Sequence, residues 1–107
     1  LATAAQYGAN LIVIVIDNGA YGTIRMHQER KYPGRVSATA LANPDFALLG
    51  QAFGAWSTAV RTTEQFVAAL EEAKSRTGLR LIHALTDLEK IAASGATISG
   101  LRARNVV

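Results

Sequence analysis

The 107-residue chain is half hydrophobic and 18% charged, has no cysteine, and carries a formal net charge of +3. Such a composition describes one globular domain able to bury a core and excludes disulfides and thiolate metal sites. No apolar run approaches the about 18 residues of a membrane helix. No signal-peptide pattern opens the chain, and the lack of cysteine fits a reducing, cytoplasmic setting.

The chain begins at Leu1 inside a helix-like stretch, LATAAQYG, closed by Gly8, as a left-handed glycine closes a last turn. It reads as a fragment whose N-terminus is expected far upstream of Leu1. Leu11 to Ile16 are consecutive aliphatics, the pattern of a strand buried on both faces of a parallel sheet. Tyr21 to about Lys31 has helical composition and stops before Pro33-Gly34. Asn43-Pro44-Asp45 reads as a helix start, with a capping side chain, a proline in the first turn and an acid near the positive end. That helix runs to Gly54.

Ala55 to Val60 predicts a second strand, and Thr62 and Gln65 have capping-box spacing for the next helix, which Gly78 closes. Leu79 to Thr86 predicts the third strand. Residues 87–107 show no strong period and read as an irregular or partly helical tail. Strands alternating with helices predict an α/β fold, a parallel sheet with helices on both faces. No boundary is evident within it, so residues 1–86 read as the α/β core of a single unit.

In open α/β sheets, ligands bind beyond the carboxyl ends of the strands. Asp17-Asn18-Gly19-Ala20 stands there, after the most aliphatic strand. Asn18 offers an amide oxygen, and glycine lets the backbone turn its carbonyls inward. Amide plus carbonyl is hard oxygen ligation, suited to Mg²⁺ or Ca²⁺, and Mg²⁺ commonly shares its shell with phosphate oxygens. The helix beginning near Tyr21 or Gly22 has free N–H groups for a phosphate. By local physics alone, a strand that ends in Asp-Asn-Gly is ordinarily a turn.

The stretches IVIDNGAYGTIRMHQER and NPDFALLGQAFGAW resemble the C-terminal diphosphate-binding domain of thiamine-diphosphate-dependent enzymes of the acetolactate synthase and benzoylformate decarboxylase type. The resemblance runs from LATAAQYGANL to LRLIHALTD. It implies thiamine diphosphate and Mg²⁺ as cofactors, a 2-oxo acid as substrate of a carboligase or decarboxylase, and a homodimer or homotetramer. By position, it implies that Asn18 ligates Mg²⁺ through its side chain and Ala20 through its carbonyl. Gly19, Tyr21 and Gly22 then fall against the diphosphate, and Ile24 faces the thiazolium and substrate. No catalytic residue is implied within the chain. Asp17 replaces the family's usual first asparagine, and its carboxylate would repel a diphosphate unless turned away.

The family's Gly-Asp-Gly, which supplies the anionic metal ligand one strand earlier, occurs nowhere in the chain. Its place is expected before Leu1, so the fragment alone is expected to be inactive. The alternative is a non-catalytic α/β assembly module without cofactor. A flavodoxin-like nucleotide domain lacks the glycine-rich phosphate loop it would need.

Other side chains read as structural. His83, among aliphatics, predicts a hydrogen-bonded core histidine; His27 predicts a surface residue; Trp56 predicts packing. The basic excess, with Arg25, Arg30, Lys31, Arg35, Arg102 and Arg104, lacks the interleaved aromatics of a nucleic-acid surface. It reads as solvated helix charge, with Arg25 and Arg30 also candidates to hold an acidic substrate.

Overall fold

Leu79–Leu85 is buried along nearly its whole length, and this identifies it as the centre of the sheet. The computed structural model describes residues 1–104. Its elements are α1 (Ala2–Gln6), β1 (Leu11–Asp17), α2 (Gly22–Lys31), α3 (Phe46–Ala52), β2 (Trp56–Val60), α4 (Thr63–Ser75), β3 (Leu79–Leu85) and α5 (Ile98–Arg104). The sheet order is β1-β3-β2 with both pairings parallel.

Side chains alternate between the faces of a strand, so the register sorts the core. Ile82 and Ala84 of β3 cluster with Val60 of β2, Ala69 and Ala73 of α4, and partly buried Ile12, Trp56, Phe66 and Leu70. The opposite face carries Leu81 and His83, where Gly50 of α3 approaches Leu81 and Phe46 meets the His83 ring edge-on at 5.1 Å. Helices therefore cover both faces, as the sequence predicts. Trp56 packs here as expected, and Arg76 lies over its ring at 5.3 Å.

Two expectations are corrected. β1 is not buried on both faces: Ile14 is 41% and Ile16 67% exposed, because β1 lies at the edge of the sheet formed by the described residues and β3 takes the centre. Asn43 does not cap α3. Asp45 does, accepting from the N–H groups of Ala47 and Leu48, while the Asn43 amide is engaged elsewhere. The chain separates into a sheet unit, Leu1–Asp17 with Asn43–Leu85, and a second unit of Asn18–Ala42 with the residues from Thr86 onward. The tail is partly helical, as read, through α5; the part of it beyond residue 104 lies outside the described residues.

Within the sheet unit, Thr62 accepts from Gln65 N–H and Gln65 accepts from Arg61 N–H, the expected cap at the head of α4. Arg80 has no counterpart among the sequence expectations. Only 5% exposed, it donates to the carbonyls of Ala73, Arg76 and Gly78 and to Asn10 Oδ1. Those bonds satisfy a buried cation and the last turn of α4 together.

Gly50 is needed for closeness. A Cβ there would run into Ser57 Oγ and lie 3.1 Å from Leu81 Cβ. Gly50→Ala is therefore expected to destabilise the chain by about 1–3 kcal/mol through overpacking. Urea unfolding measures it, and an unchanged midpoint would mean that α3 moves off freely.

Candidate functional site

The turn after β1 is built by two backbone bonds and one side chain. Tyr21 N–H donates to Thr39 O at 2.9 Å and Leu41 N–H to Gly19 O at 2.8 Å, and these flank an antiparallel bridge between Ala20 and Ala40. In such a non-hydrogen-bonded pair, a residue's own N–H and C=O point away from the partner strand. The Ala20 N–H accordingly meets Asn18 Oδ1 at 3.2 Å, and the Ala20 carbonyl leaves by that same edge. No hydrogen bond to this carbonyl occurs among the described residues.

The Asn18 amide also packs over Gly22. A Cβ built at Gly22 would stand 2.6 Å from Asn18 Nδ2, so glycine leaves the space the amide occupies. Gly19 turns the chain with φ 68°, in the left-handed region that glycine enters without strain. α2 then starts at Gly22 with no side-chain cap and no acid in its first turn, and its basic residues, Arg30 and Lys31, sit in the last. The helix dipole and uncapped N–H groups favour an anion at that end. Tyr21 and Ile24 are both about half exposed at 53%.

Asn18, Gly19, Ala20, Tyr21, Gly22 and Ile24 thus share one turn and helix start in the second unit. Asn18 Oδ1 keeps a second lone pair beyond its bond to Ala20. A neutral amide and a neutral carbonyl on one edge fit a hard divalent cation. Among the described residues no group of three or more His, Asp or Glu offers an alternative centre.

Asp17 belongs to the sheet unit and is 8% exposed. Its carboxylate accepts from Asn43 Nδ2 at 2.7 Å and lies 2.8 Å from His83 Nε2. A carboxylate only accepts, so Nε2 carries the proton and donates. The negative charge is spent on these donors and is directed into the sheet unit's own core. His83 is the hydrogen-bonded core histidine expected. Its Nδ1 is buried without a hydrogen-bond partner, with Asp45 Oδ1 3.9 Å away, beyond bonding reach.

Glu29 is the residue that sequence reasoning missed. It sits on α2 at 1% exposure, and accepts from Arg25 Nε at 3.0 Å, from both Nε (2.8 Å) and Nη2 (2.7 Å) of Arg102, and from Gly34 N–H at 2.9 Å. Hydrogen bonding from the Arg102 guanidinium leads the causes that hold its carboxyl down from 4.5 to about 2; Gly34 N–H and Arg25 add to it and burial opposes. Its Arg25 pairing has i, i+4 spacing, which was legible. Arg102 lies 73 positions away, and no local pattern announces it. Arg25 and Arg102 are therefore not a solvated helix face, and Arg25 is engaged with Glu29 rather than held open for an acidic substrate. His27 is exposed, as expected.

Comparison with known proteins follows the same residues. The family described as thiamine pyrophosphate enzyme, C-terminal TPP binding domain, matches residues 1–84. The chain is 34% identical over 76 residues to the acetolactate synthase large subunit of Haemophilus influenzae, covering 70% of the chain and 13% of that protein. It is 31% identical over 93 residues to the acetolactate synthase isozyme 2 large subunit of Escherichia coli K12, covering 85% and 17%. A 3D-(3,5/4)-trihydroxycyclohexane-1,2-dione hydrolase of Bacillus velezensis is 32% identical over 82 residues, covering 71% and 13%. The chain thus spans less than a fifth of the length of each of these relatives.

Proposed function

The chain belongs to the thiamine pyrophosphate enzymes, as their C-terminal TPP-binding domain, and on that premise we propose that it holds one part of a Mg²⁺–diphosphate anchor in an enzyme acting on 2-oxo acids. The observation that carries the reading is the shared edge of Asn18 Oδ1 and the Ala20 carbonyl, above a glycine that makes room for the amide. Asn18 and Ala20 would ligate the metal. Gly19, Tyr21 and the first N–H groups of α2 from Gly22 would receive the diphosphate, and Ile24 would present an apolar side chain toward the thiazolium and substrate.

Two neutral oxygens do not offset a divalent charge, so the diphosphate and a carboxylate elsewhere in the parent polypeptide complete the balance. When bound, thiamine diphosphate supplies the nucleophilic carbon and the electron sink that 2-oxo-acid chemistry needs. What the chain's own residues supply is position. Asp17, tied to His83 and Asn43, keeps its carboxylate from competing with the phosphates for the cation. Acetolactate synthases among the relatives support a carboligase or decarboxylase, that is, a transferase or lyase. We place the parent in the cytoplasm as a homodimer or homotetramer, and exposed Tyr7, Leu11 and Ile16 supply apolar surface for association. The fragment by itself is proposed to be inactive.

The test is the parent polypeptide with thiamine diphosphate, Mg²⁺ and a panel of 2-oxo acids. Metal-dependent cofactor uptake and consumption of at least one acid are expected. A parent that takes up no thiamine diphosphate, and whose unfolding midpoint the cofactor and metal leave unmoved, would instead be the non-catalytic α/β module.

A further inference from the structure

The segment Ser37–Leu41 belongs to no regular element, yet it is the partner that sets the direction of Ala20. Its grip on the turn consists of the two backbone bonds from Tyr21 to Thr39 and from Leu41 to Gly19. Its own position is set from α2 by one side chain. Gln28 Nε2 donates to Ser37 O at 2.7 Å, and Thr39 Oγ1 donates to Gln28 Oε1 at 3.3 Å. Thr39 is 2% exposed, so its hydroxyl has no water to fall back on and depends on that amide. Between the two contacts, Ala38 adopts φ 54°. A residue with a Cβ enters this region at a cost and persists there only where the surroundings over-determine it.

We propose that Gln28 and Thr39 are positioning residues for the cation site, acting through the Ser37–Leu41 strap to aim the Ala20 carbonyl along the edge of Asn18 Oδ1. The proposal rests on the cofactor reading above. Its physical content is specific. The strap occupies one edge of residues 19–21, so the Ala20 carbonyl has only the other edge to use. A ligand whose donor is a backbone carbonyl cannot be tuned by its own side chain. The partner strand that fixes its peptide plane takes that role, as outer-shell groups do for side-chain ligands. Gln28 is suited to this because its amide donates to one end of the strap and accepts from its middle.

The experiment compares Gln28→Ala, Thr39→Val and Thr39→Ser in the parent polypeptide. Mg²⁺ affinity is measured by calorimetry with saturating thiamine diphosphate, and apo unfolding midpoints are recorded alongside. Gln28→Ala and Thr39→Val are each expected to weaken Mg²⁺ about tenfold, and Thr39→Ser, which retains the hydroxyl, to stay within about twofold of wild type. The double variant should lose no more than either single one, since both break the same link. Mg²⁺ affinity unchanged in Thr39→Val, or lost equally in Thr39→Ser, would overturn the proposal, and this pair decides even if Gln28→Ala fails to fold. Asn18→Ala separates the two levels: wild-type affinity in that variant removes the cation site itself, whereas loss there with no effect at positions 28 and 39 removes only the strap.

Discussion

Glu29→Ala is expected to destabilise the chain by about 3 kcal/mol, because it leaves the Arg25 head without its buried counter-ion and Gly34 N–H without its acceptor. Urea unfolding at neutral pH measures the loss. Glu29→Gln should recover part of it, since an amide oxygen still accepts one bond while the charge is gone. The pH dependence has a defined sign. The carboxyl is held from 4.5 down to about 2 in the fold, so the folded state binds the proton less tightly than the unfolded chain. Its contribution is complete above about pH 4.5, and it is lost as pH falls from there through about 2. Wild type should therefore lose stability across that acid window, and Glu29→Gln should show a correspondingly shallower fall. Parallel acid profiles for the two proteins would show that Glu29 gains nothing from Arg102.

Gly22→Ala is expected to weaken Mg²⁺-dependent thiamine diphosphate binding by about 10–100-fold, the range found when a ligand's support is disturbed. The added Cβ would stand 2.6 Å from Asn18 Nδ2, and the amide must leave its place. Gly22 does not have a positive φ, and it opens α2, so alanine suits the backbone and raises helix propensity. The apo protein should consequently be as stable as wild type or slightly more so. That opposition separates a site effect from a folding effect. Undiminished binding in Gly22→Ala would mean that the Asn18 side chain does not hold the cation where its amide now lies.

Much of the chain was legible in its residues. Leu11 to Ile16 announced a strand, Thr62 and Gln65 announced the head of α4, and Gly8, Gly54 and Gly78 marked turns that do take positive φ. These are local effects: β-branching, a side chain within reach of nearby N–H groups, a missing Cβ. The candidate anchor was legible for the same reason, since Asn18 to Gly22 lie within one turn. His83 was read as structural, although its partner Asp17 is 66 positions away.

What the tertiary structure alone decided depends on long separations. β3 rather than β1 became the buried centre, because pairing order is set by crossovers and not by the hydrophobicity of either strand. Asp45 took the cap that Asn43 was expected to supply once Asn43 was drawn to Asp17. Arg25, read as a helix charge, and Arg102, read as part of a tail, came together on one buried glutamate. Residues 37–41, which have no periodicity, became the strap that orients Ala20. Local pattern determines which residues can turn, cap or extend; only the folded chain determines which distant donor each buried charge and each carbonyl will meet, because desolvation makes every such group require a partner wherever the topology delivers one.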